Sequence, residues 1–344
     1  MDKSSLEKQI KSLEKKIQSA SLPQDLAEKV LEEISLAGSG SFANFESVSN
    51  YVNWIVSLPF DKTTEDVLDL KTAKEVLDKN HYGLENAKNR ILEYLASLIL
   101  NLKKGRGEGI NAPILCLVGL VGTGKTTLAS SIAQALGRKF ERIPFGGMGD
   151  ASFLRGTSRT LTDSKPGAVI KNIIDAQSKN PVILLDEIDR IEEASRSDVM
   201  GVLVELLDPT QNKKFTDLYI DYPFDLSQTL FIATANNTTH IATAVLDRLE
   251  IIQMPSYSDT EKTMIAKSYL FPKMRQQTGL SAEQISVDEA VWPTIIRPLG
   301  FDSGIRSLER SIEAICRKVA RMVVEGKIQT VNITSENVKE FLTV

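Results

Sequence analysis

Apolar residues recur along this chain in two rhythms. Towards both ends they return every three or four positions, the helical spacing; in the middle they come as short unbroken runs, as in strands buried on both faces. Residues 4–19 form a charged stretch in which Leu6, Ile10, Leu13 and Ile17 make a coiled-coil seam. The seam is short, so it needs a partner or is the stub of something longer. A second helix starts behind Pro23 and closes at Gly38, and a third covers 45–57 and stops before Pro59. A longer helix runs over 84–104, with Ile91, Leu95, Leu98 and Leu102 on one side, and the loop Gly105-Arg-Gly-Glu-Gly109 follows it.

The rhythm then changes. Segments 114–118, 138–144, 182–185, 229–235 and 250–254 predict strands, and 126–136, 166–178 and 198–207 predict helices between them. Strands alternating with helices make a parallel sheet covered on both faces. From Asp259 onward the pattern is helical again, over 259–277, 287–297, 305–325 and 335–342, with one β-type run at 330–333. The chain reads as α/β in three parts: a helical segment over 1–70 serving packing or partner contact, an α/β unit over 71–257, and a small helical unit over 258–344.

Composition narrows the classes. The 344 residues are 42% hydrophobic and 25% charged, as in an ordinary globular protein, and a net charge of -4 gives no pull toward nucleic acid or an anionic membrane. Two cysteines, Cys116 in an apolar strand and Cys316 in a helical pattern, supply neither a disulfide framework nor a zinc site. The N-terminus is polar and no run reaches transmembrane length, so the protein is expected to be soluble and intracellular, with no membrane partner.

The chemistry starts where the sheet pattern starts. The run 114–118 leads into Gly119-Leu-Val-Gly-Thr-Gly-Lys-Thr126 and then a helix. In that order the glycines let backbone N–H groups turn around a polyphosphate, Lys125 reaches the terminal phosphates, and the Thr126 hydroxyl ligates Mg²⁺. Gly119, Val121, Gly122, Thr123, Gly124, Lys125, Thr126 and Thr127 are therefore the expected nucleotide contacts, with ATP or ADP and Mg²⁺ as ligands. A second strand, Pro181-Val-Ile-Leu-Leu, ends in Asp186 and Glu187, at the edge where ligands bind parallel sheets. Asp186 is placed to hold the Mg²⁺ shell with Thr126, and Glu187 to polarise the attacking water. Asn236 follows the strand Leu230-Phe-Ile-Ala-Thr-Ala235 and is placed to orient water against the γ-phosphate. Arg248 and Arg306 are candidate cations for the transition state.

Gly-x-x-x-x-Gly-Lys-Thr, Leu-Leu-Asp-Glu-Ile-Asp, Phe-Ile-Ala-Thr-Ala-Asn-Asn, Leu-Asp-Arg-Leu-Glu and Gly-Ile-Arg-Ser-Leu-Glu-Arg stand in the order of an AAA+ ATPase, which this chain resembles. More specifically it resembles the ATPase module of Lon proteases. The stretches Leu206-Leu-Asp-Pro-Thr-Gln-Asn212, Asn80-His-Tyr-Gly-Leu84, Tyr51-Val-Asn-Trp-Ile-Val-Ser-Leu-Pro59 and Phe140-Glu-Arg-Ile-Pro-Phe-Gly-Gly147 carry that likeness, which extends from about Leu22 to the end. It implies a P-loop AAA+ sheet domain with an α-helical lid. It implies the first sensor role for Asn236, the second for Arg306, and for Arg248 an arginine finger acting on the neighbouring subunit's ATP. His81 and Tyr82 would line the adenine. A finger acting across subunits implies a hexameric ring, handling unfolded or damaged protein in the cytoplasm or the mitochondrial matrix, with a peptidase domain in cis.

Two departures qualify the likeness. The Ser-Lys peptidase of the family would begin where this chain ends, at Val344, so no peptidase chemistry is assigned here. The family's pore loop carries an aromatic residue, an aliphatic one and glycine; here the place reads Leu161-Thr162-Asp163, which offers less contact area and adds a charge, so threading is expected to be weak or altered. The competing expectation is a nucleotide-gated interaction module that does not thread, favoured by the short seam and by this loop. A clamp-loader-like enzyme on DNA lacks the basic stripe it would need.

Overall fold

The computed structural model describes residues 3–38, 42–104, 113–297 and 304–342; the glycine-rich loop 105–109 and the terminal Val344 lie outside the described residues. The strands are β1 (Ile114–Val118), β2 (Phe140–Pro144), β3 (Val182–Asp186), a short hairpin of β4 (Phe215–Thr216) and β5 (Pro223–Phe224), β6 (Leu230–Ala235), β7 (Leu249–Gln253), and the distant β8 (Ile285–Val287) and β9 (Val331–Ile333). The first part of the chain supplies helices α1 (Lys3–Ser19), α2 (Gln24–Gly38), α3 (Phe42–Ser57), α4 (Leu70–Asn80) and α5 (Glu85–Lys103). Among the strands lie α6 (Lys125–Leu136), α7 (Ser152–Arg155), α8 (Ala168–Ala176), α9 (Arg196–Leu207) and α10 (Thr243–Leu246). The last part holds α11 (Asp259–Ile265), α12 (Phe271–Gln277), α13 (Trp292–Ile296), α14 (Arg306–Val324) and α15 (Val338–Phe341).

Five strands form one parallel sheet in the order β2-β3-β6-β1-β7. Each run is apolar throughout because both faces are covered, yet the pleat still divides it. Leu115 and Leu117 enter one core with Leu184 and Ile232, while Cys116 and Val118 enter the other with Leu185 and Ala233. Helices α4 to α6 and the C-terminal helices cover the first face; α8, α9 and the N-terminal helices cover the second.

The seam on α1 finds its partner inside the chain. α1 lies against α2 and α3, and Leu13 and Ile17 are buried there with Leu26, Val30 and Ile34. The same cluster continues into the sheet's second face, and the Tyr51 hydroxyl donates to the Ile220 carbonyl at 3.0 Å. The segment after α3 passes the amino ends of β2 and β3, where Lys62, Thr64 and Val67 bond to Lys179, Asn180 and Leu136. There the buried Arg138 grips both carboxylate oxygens of Asp66 at 2.7 Å.

The periodicity missed α4 and β8, along with the short elements α7, α10, β4 and β5. α4 shows few large apolar residues, but the Asp69 side chain accepts from the Lys71 and Thr72 N–H groups and caps it. β8 pairs in parallel with β9, so the predicted run at 330–333 finds its partner across the lid rather than in the main sheet. Two predicted helices are shorter than expected: Pro293 sits in the first turn of α13, and 335–342 reduces to α15. The stretch 259–277 is one continuous rod, with a π-turn over Ala266–Leu270 between α11 and α12.

Candidate functional site

The register brings the carboxyl ends of β1, β3 and β6 side by side: Val118 pairs with Ala235, and Leu185 with Ala233. The loops that follow these strands therefore share one rim. A chamber of about 330 Å³ opens there, walled by Val121, Gly122, Gly124, Lys125, Thr126 and Thr127, and faced by Asp186, Glu187, Asn236 and Arg306. Gly122 and Gly124 have φ of +82° and +89°, a left-handed conformation that only glycine adopts freely. Gly119 and Thr123 stand behind the wall: a Cβ on Gly119 would meet the Met254 carbonyl, and the buried Thr123 hydroxyl donates to the Leu120 carbonyl at 2.9 Å.

Lys125 is buried at the head of α6. Its ammonium donates to the Gly119 and Leu120 carbonyls at 2.6 and 3.0 Å and to Asn236 Oδ1 at 3.2 Å. Burial holds its pKa below the ordinary lysine value, against the opposing charges of Asp186, Asp189 and Glu187. Thr126 Oγ1 lies 3.5 Å from Asp186 Oδ1. The other Asp186 oxygen accepts from Arg142 Nε and Nη2 at 2.7 and 2.6 Å. Glu187 leaves β3 with φ of +59° and pairs with Arg190 at 3.5 Å. Asn236 Nδ2 is buried without a hydrogen-bond partner in the chamber wall, while its backbone N–H donates to Asp189 Oδ2 at 3.1 Å. A buried, unpaired donor is costly and is what a site built for an anion or a polar ligand would keep.

A second chamber of about 540 Å³ adjoins the first and shares Gly124, Thr127, Ile305 and Glu309 with it. His81 and Tyr82 line it, together with Tyr257, Ile265 and Leu270. His81 Nε2 lies 2.8 Å from Ser131 Oγ, and burial pushes the imidazole pKa down to about 4, so the ring is neutral at neutral pH. Lys79, Lys273 and Glu309 also line this chamber, and its aromatic and aliphatic patch beside the phosphate loop suits a nucleotide base. The Tyr257 hydroxyl, pushed up to about 12 by burial, donates to the Thr123 carbonyl at 3.1 Å and ties the last part of the chain to the phosphate loop.

The sequence model of the "ATPase family associated with various cellular activities (AAA)" matches residues 115–257, and that of the "Lon protease AAA+ ATPase lid domain" matches 276–331. The chain carries an AAA ATPase domain followed by a lid domain of the Lon type. It is 45% identical to a Lon protease of Desulforamulus reducens over 95% of its own length and 40% of the relative's. It is 44% identical to a Lon protease of Elusimicrobium minutum (99% and 41%) and 42% identical to Lon protease 1 of Bacillus subtilis (99% and 44%). The chain thus spans less than half the length of these relatives.

Three predicted residues of this AAA module stand away from both chambers. Arg248 donates to the Ala244 carbonyl at 2.7 Å and to Asp208 Oδ2 at 3.0 Å, and lines neither chamber. Leu161, 58% exposed, and the exposed Thr162 sit on the loop between α7 and α8. That loop is pinched by the Thr157 N–H donating to the Lys165 carbonyl at 3.1 Å, and is anchored by Arg159, which pairs with Glu33 at 2.7 Å and lies 3.8 Å over the Tyr51 ring. Asp163, at φ of +59°, holds a conformation that suits glycine better. Reasoning from sequence missed Arg142, Arg190, Tyr257 and Glu309. Glu309 follows Arg306 by one helical turn and was within reach of a closer reading, whereas Arg142, although inside a stretch quoted for its family likeness, carries no local mark that it holds Asp186.

Proposed function

We propose that this chain binds and hydrolyses ATP and uses the cycle to move polypeptide, as the motor part of a Lon-type protein. The observation that carries the reading is the convergence of Lys125, Thr126, Asp186, Glu187, Asn236 and Arg306 on one chamber, from segments far apart in sequence. Lys125 supplies positive charge to the phosphates. Glu187 takes the proton of the attacking water, Asn236 orients that water through its unpaired Nδ2, and Arg306 brings the lid's charge to the γ-phosphate. The hydroxyl and carboxylate oxygens of Thr126 and Asp186 are hard donors at 3.5 Å separation, a set that suits magnesium. Magnesium, when bound, would neutralise phosphate charge; Thr126 would hold it directly and Asp186 through its water shell.

Arg248 is assigned to a neighbouring copy's site in a ring, because it stands clear of its own. A hexamer, unfolded or damaged protein as cargo, a peptidase in cis, and a cytoplasmic or matrix setting complete the proposal. Phosphate release by the chain, with and without an unfolded protein, tests it. Turnover stimulated by the unfolded protein supports the motor; negligible and unstimulated turnover supports the nucleotide-gated module instead. That second reading loses one of its two supports, since the α1 seam is buried within the chain, and keeps the Leu161-Thr162-Asp163 loop.

A further inference from the structure

Asp186 and Glu187, the paired acids at the end of β3, are docked on one buried residue of the neighbouring strand. Thr234 lies on β6, one position beyond the Leu185–Ala233 pair, and is fully buried. Its hydroxyl donates to Asp186 Oδ1. The same hydroxyl oxygen accepts the Glu187 N–H at 2.9 Å, and the Thr234 carbonyl accepts the Ile188 N–H at 3.0 Å. Three consecutive residues of the corner after β3 therefore take their position from one residue of β6.

The corner needs such an anchor. Glu187 is in the left-handed region, φ +59°, where a side chain with a Cβ is strained and stays only if its surroundings over-determine it. Asp186 is held from its other side by Arg142, which fixes Oδ2, so Thr234 decides where Oδ1 points. A hydroxyl has one proton to give. It is committed to Asp186, which leaves the lone pairs for the Glu187 N–H. No apolar residue of the same shape offers both.

We propose that Thr234 is a positioning residue for ATP hydrolysis, its hydroxyl setting the Glu187 backbone relative to the Asp186 carboxylate. This rests on the ATPase reading above. Catalysis by positioned groups falls steeply with small displacements, whereas nucleotide binding is spread over the phosphate loop and the second chamber. The hydroxyl therefore bears on turnover rather than on affinity.

The test compares Thr234→Val and Thr234→Ser in the 344-residue chain. Phosphate release is followed against ATP concentration, and affinity is read with a fluorescent ATP analogue. Thr234→Val is expected to lower kcat about 100-fold while KM and analogue affinity stay within about threefold; Thr234→Ser is expected to restore most of kcat. A valine variant with the turnover of the unsubstituted chain overturns the inference and leaves the ATPase reading intact. A serine variant as slow as the valine one also overturns it, since the methyl group and not the hydroxyl then matters. Should the valine variant fail to fold, Thr234→Ala is read against Thr234→Ser by the same criteria. No phosphate release from the unsubstituted chain overturns the ATPase reading and the inference with it.

Discussion

The Ile305 N–H donates to the Gly122 carbonyl at 3.1 Å, so the lid touches the phosphate loop backbone to backbone. Arg306 is the next residue and opens α14, which makes its position depend on that contact. Behind it, a Cβ on Gly304 would lie 2.4 Å from the Val121 carbonyl. The two halves of the site are thus joined where glycine allows the closest approach.

Gly304→Ala must push the lid off the phosphate loop, because its neighbours there are backbone atoms that cannot swing away. The expected result is a loss of roughly tenfold or more in nucleotide affinity, about 1.4 kcal/mol, with the sheet domain still folded. Titration of a fluorescent nucleotide checks it; unchanged affinity would mean the lid can close without this contact.

Glu187→Gln keeps the shape of the corner and removes the base proposed for the attacking water. It is expected to bind ATP normally and to hydrolyse it at least about 100-fold more slowly. Lys125→Ala is expected to lose binding itself. Rapid turnover by Glu187→Gln takes that residue out of the role assigned to it.

Arg248→Ala and Lys125→Ala are each expected to be inactive alone. Mixed in one assembly, they should recover part of the turnover if the arginine serves the neighbour's site, because intact sites then arise at some boundaries. Steady-state phosphate release of the mixture decides; no recovery at any ratio argues against a finger acting in trans.

Arg138→Met leaves Asp66 in a largely enclosed site without its bidentate partner, while the Asn180 amide still donates at 3.2 Å. Removing one member of a buried pair strands the other charge, so a loss of about 3 kcal/mol in unfolding free energy is expected. Asp66→Asn in the same chain should return part of it. A urea midpoint that does not move would show the pair contributes little.

His81 gives a pH signature with a definite sign. The unfolded chain takes up a proton near pH 6.5, whereas burial, assisted by the charge of Lys88, keeps the folded imidazole neutral down to about 4. Stability is therefore unaffected above about pH 7 and is lost as pH falls from 6.5 to 4, by roughly 3 kcal/mol from this residue. His81→Gln removes that part of the slope. The variant's unfolding free energy should gain on the unsubstituted chain as pH falls, and a constant difference over the range would contradict this.

The sheet, its parallel sense and the phosphate loop were legible from residues alone, because a glycine-rich loop between an apolar run and a helix has few structural solutions. The paired acids after Leu185 and the amide after Ala235 were legible for the same reason: a polar residue at the carboxyl end of a buried strand stands out against the run before it. The sequence could not place Arg142 or Thr234, since nothing local separates an arginine or threonine that holds Asp186 from one facing solvent. Only strand order brings β2, β3 and β6 side by side and lets those side chains reach one carboxylate. The fate of the α1 seam was likewise decided by tertiary packing. Helical spacing shows that Leu13 and Ile17 must be buried, but which surface buries them depends on how α1 meets α2 and α3, which no local pattern encodes. Local chemistry is written in neighbours along the chain, and the contacts that aim it are made between residues far apart.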